Sequence, residues 1–177
     1  MTRTTHRFSE AASLYAANKA VVDEMRKAFT ESMKLFFTEL TGSVREAAVS
    51  AGVASVSSRS AGQSWYWWPG DADATDADVK VWATWDDEEI ITLRTLSVLI
   101  GTGAVEMSEV ERMATLARSA KLEPWLVAQK PAKWVMVRLD AKWAEDEDAI
   151  AACVPTIVAA LKLVDRFRRE APARKRQ

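Results

Sequence analysis

All eight tryptophans of the chain fall between Trp65 and Trp143, and the segments on either side carry none. Those flanks are rich in alanine and charge, compositions that favour helix, whereas wide aromatic and β-branched side chains suit a pleated surface. The distribution predicts a helical N-terminal arm, an aromatic sheet region and a helical C-terminal segment. At 177 residues, one domain is the simplest organisation, and a chain of that size can bury roughly 70% of its unfolded surface.

From Phe8 to about Thr41 the residues Leu14, Asn18, Val22, Met25, Phe29, Met33, Phe36 and Leu40 recur every three or four positions. That spacing places them on one stripe of a helix about thirty residues long. Such a helix exceeds the strands it would cover, so part of the stripe, especially Met25, Phe29, Met33 and Phe36, is expected to meet a second copy in a homodimer. Ser9 is the expected N-cap and Gly42 the expected stop. Ser43 with Glu46 reads as a capping box opening a short second helix that ends near Gly52. Val53 to Gln63 is serine-rich and suits a loop or a weak edge strand.

Strands are expected at Ser64–Trp68, closed by Pro69-Gly70, at Val79–Trp85 and at Ile90 to about Ile100, the last two forming a hairpin across Asp86–Glu89. A second capping box, Ser108 with Glu111, opens a helix that closes before Pro124. Strands Trp125–Ala128 and Lys133–Asp140 follow, then a helix capped by Asp146 and running to about Arg169, with a kink expected at Pro155. The fold class is α+β: a long N-terminal helix and an antiparallel sheet of about five strands, in the order α-α-β-β-β-α-β-β-α. Residues 1–170 form the domain and 171–177 a basic disordered tail.

The overall charge of −1 hides an asymmetry, because residues 166–177 hold six basic side chains against Glu170, leaving −6 on residues 1–165. A basic end of this kind can contact nucleic acid, and Arg168, Arg169, Arg174, Lys175 and Arg176 are the candidates. The longest apolar stretch, Ala149 to Leu161, is thirteen residues and contains Pro155, too short to span a bilayer. The opening MTRTTHRFSEAASLY has no apolar run after its basic residues, so it is not read as a secretory signal. The single cysteine, Cys153, cannot form an internal disulfide, which points to a reducing cytoplasm.

Catalytic chemistry finds little purchase. His6 is the one histidine and Cys153 sits in an apolar run, so no nucleophile–base pair and no tetrahedral zinc set can be assembled. Gly101-Thr102-Gly103 lacks the further glycine and lysine of the phosphate-binding loops. In the acidic loop, Asp71, Asp73 and Thr75 match the first oxygen positions of an EF-hand, but Asp76 and Trp82 replace its glycine and glutamate. A metal-dependent nuclease needs two carboxylates on neighbouring strands and a lysine near the attacking water. Asp71, Asp78 and Lys80, with Glu31 or Glu39, would have to supply them, and this is the third-ranked reading. No metal site and no cofactor is expected.

The sheet itself carries the leading expectation. Alternation puts Lys80, Trp82 and Thr84 on one side of their strand, and Trp134, Met136, Arg138 and Asp140 on one side of theirs. Arg94 and Thr92 join from the strand between them. Aliphatic residues fill the opposite face. Tryptophan, methionine and arginine are the side chains enriched at protein interfaces, so Trp82, Arg94, Trp134, Met136 and Arg138 are candidates to bind another protein. The same mixture could stack single-stranded bases. The element order resembles that of type III secretion chaperones, a resemblance that implies a dimeric protein binding other proteins without catalysis. The expected function is that of a non-enzymatic cytoplasmic interaction module of adaptor, chaperone or inhibitor type. The alternative is a nucleic-acid-associated protein using the basic tail.

Overall fold

Alanine and long straight-chain residues dominate the N-terminal third, and they form one helix, α1, unbroken from Glu10 to Ser50 over 41 residues. The computed structural model describes residues 10–70, 79–84, 88–101, 107–122 and 137–170. Gly42 does not stop α1, and the Ser43–Glu46 pair opens no second helix. A mid-helix glycine costs about 1 kcal/mol, whereas Leu40, Thr41, Val44 and Ala48, on either side of it, are all buried. Burying a leucine or valine contributes roughly 1.5–3 kcal/mol each, so packing overrides the local stop signal. The helix ends instead at Gly52, whose φ of 90° permits a Schellman closure. There Val53 N donates to Ala48 O and Gly52 N to Val49 O, both at 3.0 Å.

The chain divides into two compact units, Met1–Thr38 and Glu39–Gln177, with α1 continuous through the boundary. The described part of the first unit is helix alone. In the second, five antiparallel strands follow one another in sequence order: β1 (Val56–Ala61), β2 (Ser64–Pro69), β3 (Lys80–Thr84), β4 (Thr95–Gly101) and β5 (Val137–Lys142). Between β4 and β5 lies α2 (Met107–Ser119), and α3 (Ala149–Arg169) closes the fold. The α+β class, the long N-terminal helix, the five-stranded antiparallel sheet and the C-terminal helix all agree with the sequence pattern.

The serine-rich segment takes the strand alternative, as β1. Ala61 pairs with Ser64 across a two-residue turn, and Gly62, with φ 59°, supplies the positive dihedral that such a tight hairpin needs. The strand expected from Ile90 starts only at Thr95. A π-helical turn occupies Glu88–Thr92, and Arg94 at φ 45° breaks the pleat ahead of β4. The final strand is described from Val137 and extends to Lys142; the expected strand Trp125–Ala128 lies outside the described residues. Pro155 sits inside α3 without ending it. Asp148, rather than Asp146, caps that helix, its carboxylate accepting from Ile150 N at 2.8 Å and Ala151 N at 3.3 Å.

Register sets the core. Trp67, Val81, Ile100 and Val137 stand side by side across β2 to β5, and none has any exposed surface. α3 packs across β2 to β5 and brings Cys153, Ile157, Leu161 and Val164 to the core. The C-terminal end of α1 is tied to the sheet by side chains. Trp67 Nε1 donates to Thr41 Oγ1 at 3.0 Å, and Arg45 donates to Val56 O and to Ser58 Oγ. Arg112 of α2 lies 3.7 Å from the centre of the Phe167 ring, a cation–π contact that joins α2 to α3.

Candidate interaction surface

The alternation that buries Trp67 and Val81 turns their neighbours to the other face. Reading across the register, Arg59 pairs with Tyr66, Tyr66 with Trp82, Trp82 with Leu99 and Leu99 with Arg138. Each of the five strands contributes one residue, so the row crosses the full sheet, about 19 Å at the usual strand spacing. Arg59 is exposed, and Tyr66, Trp82, Leu99 and Arg138 are half-buried. The Arg59 guanidinium sits 5.6 Å from the centre of the Tyr66 ring, and the Tyr66 and Trp82 rings are 6.3 Å apart at a 33° tilt. Long polar and aromatic stems therefore lean on one another along the row.

The β5 end of the row is electrostatic. Arg138 Nε donates to Asp140 Oδ1 at 2.8 Å, and its Nη2 lies 3.4 Å from Glu89 Oε1. The hydrogen bond to Asp140, with help from the Glu89 charge, pushes the guanidinium above its ordinary value against the opposing effect of burial. Ser97 Oγ reaches the other Glu89 oxygen at 3.5 Å. The π-helical turn is thus latched onto the same face as Trp82 and Arg138. This explains why a sequence expected to continue as strand turns away: Glu89 finds its partners only if the backbone folds back over β4 and β5. Arg138 presents an orienting charge fixed by two carboxylates.

Of the five residues predicted for the binding face, Trp82 and Arg138 share a side, joined through Leu99. Arg94 does not join them. It precedes β4 in a left-handed conformation, accepts Trp143 N at its carbonyl and pairs with Glu145 at 3.1 Å. Trp134 and Met136 lie outside the described residues. Arg59, Tyr66 and Leu99 went unnamed at the sequence level. Tyr66 could have been found by running the two-residue period through Ser64, Tyr66 and Trp68, but Arg59 needed the hairpin register.

The remaining candidates disperse. Met25 is exposed, Phe29 and Phe36 are half-buried and Met33 is buried, so the four do not make one open patch. Arg168 and Arg169 belong to α3. Arg168 donates to Pro69 O at 2.9 Å and Val79 O at 2.8 Å, tying together the two ends of residues 70–78, and Arg169 pairs with Asp165 at 2.6 Å. Arg174, Lys175 and Arg176 lie outside the described residues, as do Asp71, Asp73, Asp76 and Asp78 of the acidic loop. Lys80 is buried in β3, while Glu31 and Glu39 are exposed on α1. Burial pushes the Cys153 thiol up to about 12, with Asp148 adding to the effect. It is therefore protonated and enclosed, the opposite of an activated nucleophile.

Among the described residues no group of three or more histidine, cysteine, aspartate or glutamate side chains gathers to hold a metal ion. None of the described helices is long and apolar enough to cross a membrane. A cavity of about 400 Å³ opens where the ends of α1 and α2 meet α3, its lining including Ala51, Val53, Leu122, Lys162, Leu163 and Arg166. Comparison with protein-family models, curated proteins and solved structures gives no match.

Proposed function

We propose that this chain is a non-enzymatic protein-interaction module of the cytoplasm, and that its partner docks on the sheet face built by Arg59, Tyr66, Trp82, Leu99 and Arg138. The observation that carries the reading is the register itself, which lines up one exposed or half-buried aromatic, aliphatic or arginine side chain from each of five strands. Rigid aromatic anchors flanked by a guanidinium held in fixed geometry are the components of binding hot spots. The state of Cys153, raised and buried, supports a non-catalytic role for the one thiol, and a lone free cysteine suits a reducing compartment.

The test is capture from native lysate with the unaltered chain and with Trp82→Ala and Arg138→Glu, each with and without nuclease. The reading expects a defined protein retained by the unaltered chain, lost with both variants and indifferent to nuclease. Equal retention by the variants would remove the sheet face. Loss of capture on nuclease treatment would instead favour the nucleic-acid reading, with Arg174, Lys175 and Arg176 as contacts.

A further inference from the structure

Helix α1 carries two apolar faces, and among the described residues only one of them is buried. Toward its C-terminal end Leu40, Val44 and Ala48 are buried. On a different side stand Leu14, Val21 and Leu35, with Ala28 completing a strict seven-residue interval and Met25 beside them. These four large side chains are 66%, 58%, 66% and 67% exposed for Leu14, Val21, Leu35 and Met25 respectively. Seven residues fall about 20° short of two helical turns, so over these three intervals the seam drifts by only ~60° and remains one surface.

The seam has the grammar of a coiled coil. Leu14, Val21, Ala28 and Leu35 occupy d positions, and Asn18, Met25 and Ser32 the a positions between them. Tyr15, Val22, Phe29 and Phe36 fall at e, and Glu24 and Glu31 at g. From Glu10 to Ala28 every residue is exposed except half-buried Val22. Most helical stability in proteins comes from packing of an apolar face, and across this stretch the described residues offer almost none. Lys19 and Asp23 form an exposed pair along the helix, which solvent screens.

We infer that α1 pairs in parallel and in register with α1 of a second copy, along Leu14, Asn18, Val21, Met25 and Leu35. A second copy offers a seam of the same period and length. The charges select the direction. An antiparallel pair would bring the acidic g line, Glu24 and Glu31, against itself, while a parallel pair sets it beside the uncharged e line of the other helix. Parallel alignment also sets Asn18 opposite Asn18, and an asparagine at an a position fixes register in two-stranded coils. Its Nδ2 donates to Leu14 O of the same helix at 2.9 Å. This pairing is independent of the sheet-face reading, since all its residues precede Glu39.

Sedimentation at high micromolar concentration is expected to give twice the chain mass of 19.7 kDa. Met25→Glu combined with Leu35→Glu, both at exposed positions, should return it to the monomer mass while the far-ultraviolet sheet signal persists. Under mild oxidation Val21→Cys should cross-link to its own copy, and Lys27→Cys, on the far side of α1, should not; Cys153 stays buried throughout. A monomer mass for the unaltered chain, or a dimer that survives the double substitution, overturns the seam. A dimer in which Val21→Cys fails to self-link, while Leu14→Cys links to Leu35→Cys, overturns the parallel arrangement.

Discussion

Replacing Thr41 with valine isolates one buried hydrogen bond. Thr41 is 5% exposed, and its hydroxyl accepts the indole N–H of fully buried Trp67 at 3.0 Å. Valine keeps the shape and the branching at Cβ, and its helix propensity is close to that of threonine, so neither a cavity nor a local helix effect is introduced. What changes is that the indole N–H loses its hydroxyl acceptor inside the core. A buried donor left in that state costs about 1–3 kcal/mol. For a chain of this length each kcal/mol moves the melting temperature by roughly 2–4 °C, so Thr41→Val should melt about 2–12 °C below the unaltered protein. Thr41→Ser is the control, since it keeps the hydroxyl and removes one methyl group, worth about 0.8 kcal/mol. Urea unfolding followed by tryptophan fluorescence and circular dichroism reads both. Should Thr41→Val prove as stable as the parent, or Thr41→Ser less stable than Thr41→Val, the hydroxyl is not what holds the ring in place.

Other expectations follow from separate features. Asp148→Ala removes both side-chain bonds to the first turn of α3 and should cost about 1 kcal/mol in the same denaturation assay, with Asp148→Ser recovering most of it. Because the Cys153 thiol is raised from 9.0 to about 12, the folded state keeps its proton where the unfolded state gives it up. Stability should therefore be complete below pH 9 and decline as pH rises toward 12, and Cys153→Ala should flatten that slope in a pH series. Thiol reagents should leave Cys153 untouched in native protein and titrate it after unfolding. Micromolar zinc, calcium or magnesium should leave the melting temperature unmoved, and a reproducible rise would bring the acidic loop back as a ligand site.

The larger outlines were legible because they rest on periodicity. The three-to-four residue recurrence from Leu14 to Leu40 marked α1, and the two-residue alternation in Val79–Trp85 placed Trp82 on the face opposite Val81. What escaped was decided by contacts distant in sequence. Gly42 and the Ser43–Glu46 pair are strong local signals, yet burial of Leu40, Val44 and Ala48 carries the helix straight through them. Arg94 looks like a strand residue in a run of isoleucine, threonine and leucine. Glu89, however, bonds to Ser97 and Arg138, the latter 49 residues away, and pulls the backbone out of the pleat. Arg168 looks like the start of a basic tail, and it proves to be the clamp on Pro69 and Val79, whose carbonyls lie about a hundred residues upstream. No local pattern encodes such distances.

The uninterrupted β1-to-β5 order has a consequence for how quickly the molecule assembles. Each of the first three strand pairs joins neighbours along the chain, so zippering from the Gly62 hairpin closes only short loops at each step, and loop-closure entropy grows slowly with length. β5 is different, because it cannot add to β4 until the segment containing α2 has been laid down. The four N-terminal strands and the last two elements therefore form on separate clocks. Kinetic φ-values should be high around β2 and β3 and low in β5 and α3, placing the folding barrier before the C-terminal helix docks.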